Sequence, residues 1–105
     1  MNINDVIAPN VTTELAENGA RRKWTAANHA DLIRMFASHG FDVLTGGKDV
    51  NGDFTVNPNA PGFKPYPHSR DIWRDGHQVA WIMWHPEVPG CAFATTYRAS
   101  SDIHI

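Results

Sequence analysis

One cysteine, Cys91, stands in a chain of 105 residues. No disulfide can close within it, and a four-cysteine zinc knuckle is excluded. A reducing, intracellular setting fits such a chain best. Charge of one sign is scarce too: nine Lys and Arg against eleven Asp and Glu leave a net charge of −2 with neutral histidines. That balance argues against a protein that coats DNA through an excess of base. No apolar run approaches the length that spans a bilayer. The opening MNINDVIAPN has no basic stretch followed by an apolar one, so neither a secretory signal nor a membrane partner is expected. The expected location is cytoplasmic. Internal repeats, low-complexity runs and strong cofactor motifs are absent as well.

What is present is a globular composition, 42% hydrophobic and 19% charged, of a size for one domain covering residues 1–105. Its most informative stretch is 79–84 (VAWIMW), set between the turn-like pairs Asp75-Gly76 and His85-Pro86. Side chains alternate along a strand, so Val79, Trp81 and Met83 point one way and Ala80, Ile82 and Trp84 the other. A strand wet on one side alternates apolar and polar residues. This one does not, so both faces need a cover.

The clearest helix is expected over residues 26–39, with Thr25 as N-cap. Leu32, Met35 and Phe36 form its apolar stripe, and Ile33 lies on the flank. His39 and Gly40 close it, with Phe41 returning against Phe36. A shorter helix is expected over 12–18, and residues 1–11 read as an irregular or extended arm. Strands are expected at 41–45, 54–57, 70–74, 77–84, 91–98 and, at the edge, 102–105. Asp75-Gly76 predicts a type I′ hairpin. Residues 57–68 hold four of the seven prolines and form a long loop, a kind of segment that is often functional. The expected class is α+β: one main helix on an antiparallel sheet of about four or five strands, mostly a C-terminal meander. The helix covers one sheet face. The Ala80, Ile82 and Trp84 face, continued by Ala92 and Ala94, then needs the N-terminal arm, the proline-rich loop, a second copy or a foreign protein.

Signals for chemistry are thin. Asp49-Val50-Asn51-Gly52-Asp53, followed by Thr55-Val56-Asn57, resembles the start of a dockerin or EF-hand calcium loop, where oxygens at alternate positions meet at one point. Phe54 stands where such loops place glycine and Ala60 where they place a carboxylate. The expected reading is therefore a loop of turn-formers. Gly46-Gly47-Lys48 has the look of a phosphate cradle but lacks the first glycine and the Ser/Thr of a Walker A loop. His85, Glu87 and Cys91 flank one turn, yet the sequence designates no further zinc ligand. His77 and His85 lie too far apart on one strand to share an ion. A Cys91–His85 nucleophile, or acid–base work at Asp71, Asp75 or Glu87, has no surrounding signature. No enzyme, cofactor or metal is expected.

Two basic and aromatic clusters suit nucleic acid, since cations track phosphates and rings stack bases. They are Arg21, Arg22, Lys23 and Trp24, and then Arg70, Trp73 and Arg74, with Arg98 near. The favoured reading is protein binding, with a homodimer as one form of it. Phe63 and Tyr66 on the proline-rich loop, with Arg70, Trp73, Arg74, Ile82 and Trp84 on the hairpin, are the expected contact residues. In size and lack of motifs the chain looks like small phage or mobile-element accessory and inhibitor proteins, which would act by steric occlusion of a partner.

Overall fold

Asp75 and Gly76 both take left-handed backbone, φ 52° and 80°, the geometry of the type I′ turn that the pair predicts. The turn joins β7 (Ser69–Arg74) to β8 (His77–Met83). In the computed structural model, which describes residues 3–15, 21–88 and 90–97, this hairpin is the middle of a larger antiparallel sheet. β1 (Val11–Leu15), β2 (Arg22–Ala26), β3 (Asp42–Leu44) and β9 (Ala92–Thr96) complete it, in the order β1-β2-β9-β8-β7-β3. β4 (Gly47–Lys48), β5 (Phe54–Thr55) and β6 (Lys64–Pro65) make a second, three-stranded sheet with β4 in its centre. With one helix, α1 (His29–Ser38), the class is α+β as expected, but the main sheet has six strands.

The extra strands come from the N-terminal third. Residues 12–15, expected to open a helix, belong to β1 and pair with β2 through Thr12↔Thr25 and Glu14↔Lys23. The β-branched VTT and the Trp24/Ala26 alternation suit strands once β2 lies between β1 and β9. Residues 16–18 of that expected helix, and the expected strand at 102–105, lie outside the described residues. Thr25 and Ala26 are likewise strand residues, placed opposite Phe93 and Ala92 of β9. The helix therefore starts later than expected, at Asn28, whose side chain accepts a 3.0 Å bond from the Asp31 amide. Asn28→Ala should lower stability by about 1 kcal/mol, read as a fall of about 5 °C in the melting midpoint.

The far end of α1 closes as the spacing predicts. Phe41 N–H reaches Phe36 O at 3.1 Å and Gly40 N–H reaches Ala37 O at 3.0 Å, a Schellman pair with Gly40 at φ 87°. The Phe41 ring returns edge-on to Phe36, centroids 5.8 Å apart.

The sheet face beneath α1 is the reverse of the one assigned from the alternation. Leu32, Met35 and Phe36 lie on Ala26, Ala80, Ile82, Ala92 and Ala94. Four alanines from three neighbouring strands leave a trough into which the large helix side chains fit, as close packing requires. The N-terminal segment, expected as an arm, forms a short 3-10 turn (Ile3–Asp5) and seals the same core with Ile3 and Val6, both fully buried. A register shift puts Ile72 opposite Ala80 but Trp73 opposite Gln78. Val79 is thereby left unopposed and joins Ala80 in the core. Trp81 and Met83 remain on the other face. Among the described residues no helix is long and apolar enough to cross a membrane.

Candidate functional site

On the face away from α1, paired residues form a row across the sheet: Glu14, Lys23, Thr95, Trp81, Asp71 and Leu44. The next row runs Thr12, Thr25, Phe93, Met83 and Ser69. The three-stranded sheet stands over the β7 end of these rows. On the β8–β9–β2 part Met83 and Tyr97 are exposed, and Lys23, Thr25, Trp81, Phe93 and Thr95 are partly so. Between the two lies a cleft of about 650 Å3, with Phe54 and Tyr66 on one wall, Trp81, Met83 and Tyr97 on the other, and Asp71 with Gln78 at its base.

Each wall is held by identifiable contacts. Phe54 and Tyr66 stack with centroids 6.4 Å apart at 15°, and Tyr66 N–H bonds Gly46 O at 2.9 Å. Trp81 meets Tyr97 edge-on at 6.4 Å, and the Arg21 guanidinium lies 5.9 Å from the Trp81 centroid. Lys23 sits 5.4 Å over Phe93. Phe54, Met83 and Tyr97 remain about half exposed. Gly46 is small because it must be: a Cβ there would overlap Asp71 Oδ2 and come within 2.7 Å of Phe54.

Asp71 is the one carboxylate in the buried set of described residues, 8% exposed. Its Oδ1 accepts a 2.8 Å bond from Gln78 Nε2. Burial pushes its pKa above the ordinary aspartate value, because desolvation disfavours the charged form. A carboxyl whose folded pKa exceeds its unfolded one opposes folding once both states are ionised. The penalty is relieved as pH falls through the folded pKa toward the unfolded one. Asp71→Asn should therefore raise stability at neutral pH and flatten the gain seen on mild acidification, as measured by urea unfolding across a pH series.

The residues expected to make protein contacts do not share one surface. Ile82 is fully buried beneath α1. Trp84 and Arg70 come together at the N-terminal end of the helix. There the Trp84 ring stacks on His29 at 4.0 Å, meets His68 edge-on at 6.1 Å, and lies 5.2 Å from the Arg70 guanidinium. Arg74 lies over Phe41 at 4.9 Å and donates to His39 O at 3.1 Å. Trp73 is on the opposite face, its indole N–H buried with no acceptor among the described residues. Phe63 is half-buried in the proline-rich loop, and Tyr66 alone of the set reaches the cleft.

The nucleic-acid set divides similarly. Trp24 is fully buried, donating to Val6 O at 2.8 Å, and offers no ring to a base. Arg22 bonds Asn4 Oδ1 at 3.1 Å. Arg21 and Lys23 reach the open face, whereas Arg70 and Arg74 lie on the helix side. Arg98 lies outside the described residues.

The Asp49 loop spends its carboxylate on itself: Oδ1 accepts from the amides of Asn51 and Asp53 at 2.8 and 3.0 Å. His85 Nδ1 is tied to the Glu87 amide at 3.2 Å. Among the described residues no group of three or more His, Cys, Asp or Glu is placed to hold a metal ion. The cleft residues Trp81, Met83 and Asp71 escaped the sequence reading as a set, because only the sheet register brings them beside Phe54. The apolar outer face of 79–84 was the available signal.

Comparison with known protein families, with curated proteins and with solved structures finds no match.

Proposed function

We propose that this protein is a non-catalytic protein-interaction domain, and that its partner docks on the open face of the six-stranded sheet, at the cleft beside the small sheet. One observation carries the reading. Trp81, Met83, Phe93 and Tyr97 form a continuous apolar surface on a rigid sheet, with Arg21 and Lys23 above it. Aromatic side chains and arginine on a rigid frame are the usual material of interface hot spots. Asp71 supports binding rather than proton relay: its hydrogen-bond partner among the described residues is the Gln78 amide, which takes no proton. The action on the partner is steric, by occupation of its surface.

The test places a photo-crosslinking amino acid at Met83, or at Val88 on the helix side, each 44% exposed. Position 83 should capture a protein in the producing cell and position 88 should not. Capture from 88 alone defeats the reading. Capture of a second copy from 83 makes the partner the chain itself, and solution mass at two concentrations would then show a dimer.

Arg21 and Lys23 beside exposed rings also favour a second reading, single-stranded nucleic acid on this same face. Binding of an oligonucleotide would then weaken steeply with added salt and with Lys23→Ala. A protein interface of this apolar kind would tolerate the salt.

A further inference from the structure

No other described side chain offers the Asp71 carboxyl a countercharge. Among the described residues only its Oδ1 accepts a hydrogen bond, from a neutral amide. Leaving a carboxylate buried and unpaired is costly. The chain retains it at the base of a cleft whose walls are the rings of Phe54, Tyr66, Trp81 and Tyr97. Ring faces attract cations, and the attraction grows as water is excluded. Buried negative charge and aromatic walls thus select the same ligand chemistry, an organic cation.

We propose that the cleft seats a single arginine side chain of the partner protein, its guanidinium on Asp71 and its plane against the aromatic walls. This rests on the reading of the open face as the partner's docking surface and names the anchor that the partner must bring. Arginine suits the site better than lysine. Its guanidinium is planar, stacks on rings, presents several donors and is more weakly hydrated than an ammonium. The chain itself packs guanidinium groups this way three times, Arg21 on Trp81, Arg70 on Trp84 and Arg74 on Phe41. Arg21 and Lys23 on the same sheet face repel a polycation, so the arginine must come from an otherwise neutral or acidic segment.

The test uses the full chain and capped pentapeptides with terminal glutamates, flanking glycines and a central arginine, lysine or citrulline. Binding is followed through the NMR signals of the Trp81 indole and the Gln78 side-chain amide. The arginine peptide should shift both signals and bind about tenfold or more tightly than the citrulline peptide, its neutral isostere, with lysine between. Asp71→Asn, which preserves an oxygen for Gln78, should erase the difference between arginine and citrulline. Equal binding of the two by the unaltered chain overturns the proposal. So does the absence of any shift in a chain whose position 83 crosslinks a protein, an outcome that leaves the docking face standing. Arginine binding without any crosslink from position 83 overturns the protein as the source and leaves a site for a free organic cation. Arg98 follows Tyr97 in the sequence, so an Arg98→Gln chain is run in parallel. Binding seen only in that chain means that the protein's own arginine fills the seat, which also overturns the proposal.

Discussion

Replacing Trp24 by alanine is expected to cost about 3–5 kcal/mol of folding stability, a large share of the roughly 5–15 kcal/mol that a domain of this size has. Its ring is fully buried, and three parts of the fold meet on it. It packs edge-on against Phe36 of α1, centroids 5.0 Å apart. Its indole N–H holds Val6 O at 2.8 Å, fixing the N-terminal segment whose Ile3 and Val6 seal the core. Through β2 it also sits opposite Ala94 of β9. Alanine would leave a cavity that helix, sheet and plug all border, so no single element can relax into it. Trp24→Phe should cost less, about 1–3 kcal/mol, because most of the ring remains while Val6 O loses a buried donor. Urea unfolding read by far-ultraviolet circular dichroism would check both, with the slope unchanged and the midpoint lowered. A loss below about 1 kcal/mol for the alanine variant would mean that the N-terminal plug is held by other contacts.

Trp24 also marks where sequence reasoning stops. Beside Arg21, Arg22 and Lys23 it has the look of a nucleic-acid contact, and nothing local says that its strand lies in the sheet interior. That placement depends on β9, as in the 3.1 Å bond from the Arg22 amide to Thr96 Oγ1, 74 residues away. Features decided within a few residues were legible: the Asp75-Gly76 turn, the Gly40 helix end and the Phe41 return to Phe36. The helix start was not, because Thr25-Ala26 caps a helix well in isolation and was claimed instead by strand pairing. The double-sided apolar character of 79–84 was legible, but not which face α1 would choose. That choice follows from the small size of Ala26, Ala80, Ala92 and Ala94 taken together, three of which lie on other strands. Asp71 read as an ordinary carboxylate near a turn. Its burial and its bond to Gln78 arise from hairpin pairing and from the small sheet above it, neither of which has a local signature.

Gly47→Ala is expected to detach one wall of the cleft while leaving the main sheet folded. The Gly46-Gly47 pair, which resembles part of a phosphate loop, is explained by crowding. A Cβ on Gly47 would overlap Lys64 O and come within 2.9 Å of Lys64 C and Pro65 Cα, all of them backbone atoms that no rotamer change can move. Gly47 is also the residue that pairs with Thr55 on one side and Pro65 on the other, so displacement there breaks the three-stranded sheet at its centre. Overpacking of this kind costs about 1–3 kcal/mol, and the nearest way to relieve it is for β6 to move off. Tyr66 follows Pro65 directly and travels with β6, so the bond from its amide to Gly46 O breaks and Phe54 loses its stacking partner. Amide hydrogen exchange separates local from global damage. The Tyr66 and Val50 amides, bonded to Gly46 O and Pro61 O, should exchange at least about tenfold faster. The Tyr97 amide, held by Val79 O at 2.8 Å, reports on the main sheet and should be little changed. Acrylamide should at the same time quench Trp81 more readily. Unaltered Tyr66 exchange would show that the loop absorbs the extra carbon, and the cleft would then owe its width to the proline-rich segment rather than to Gly47. Loss of protection at Tyr97 together with Tyr66 would instead make the small sheet part of the folding unit, because the wall could not leave without the floor.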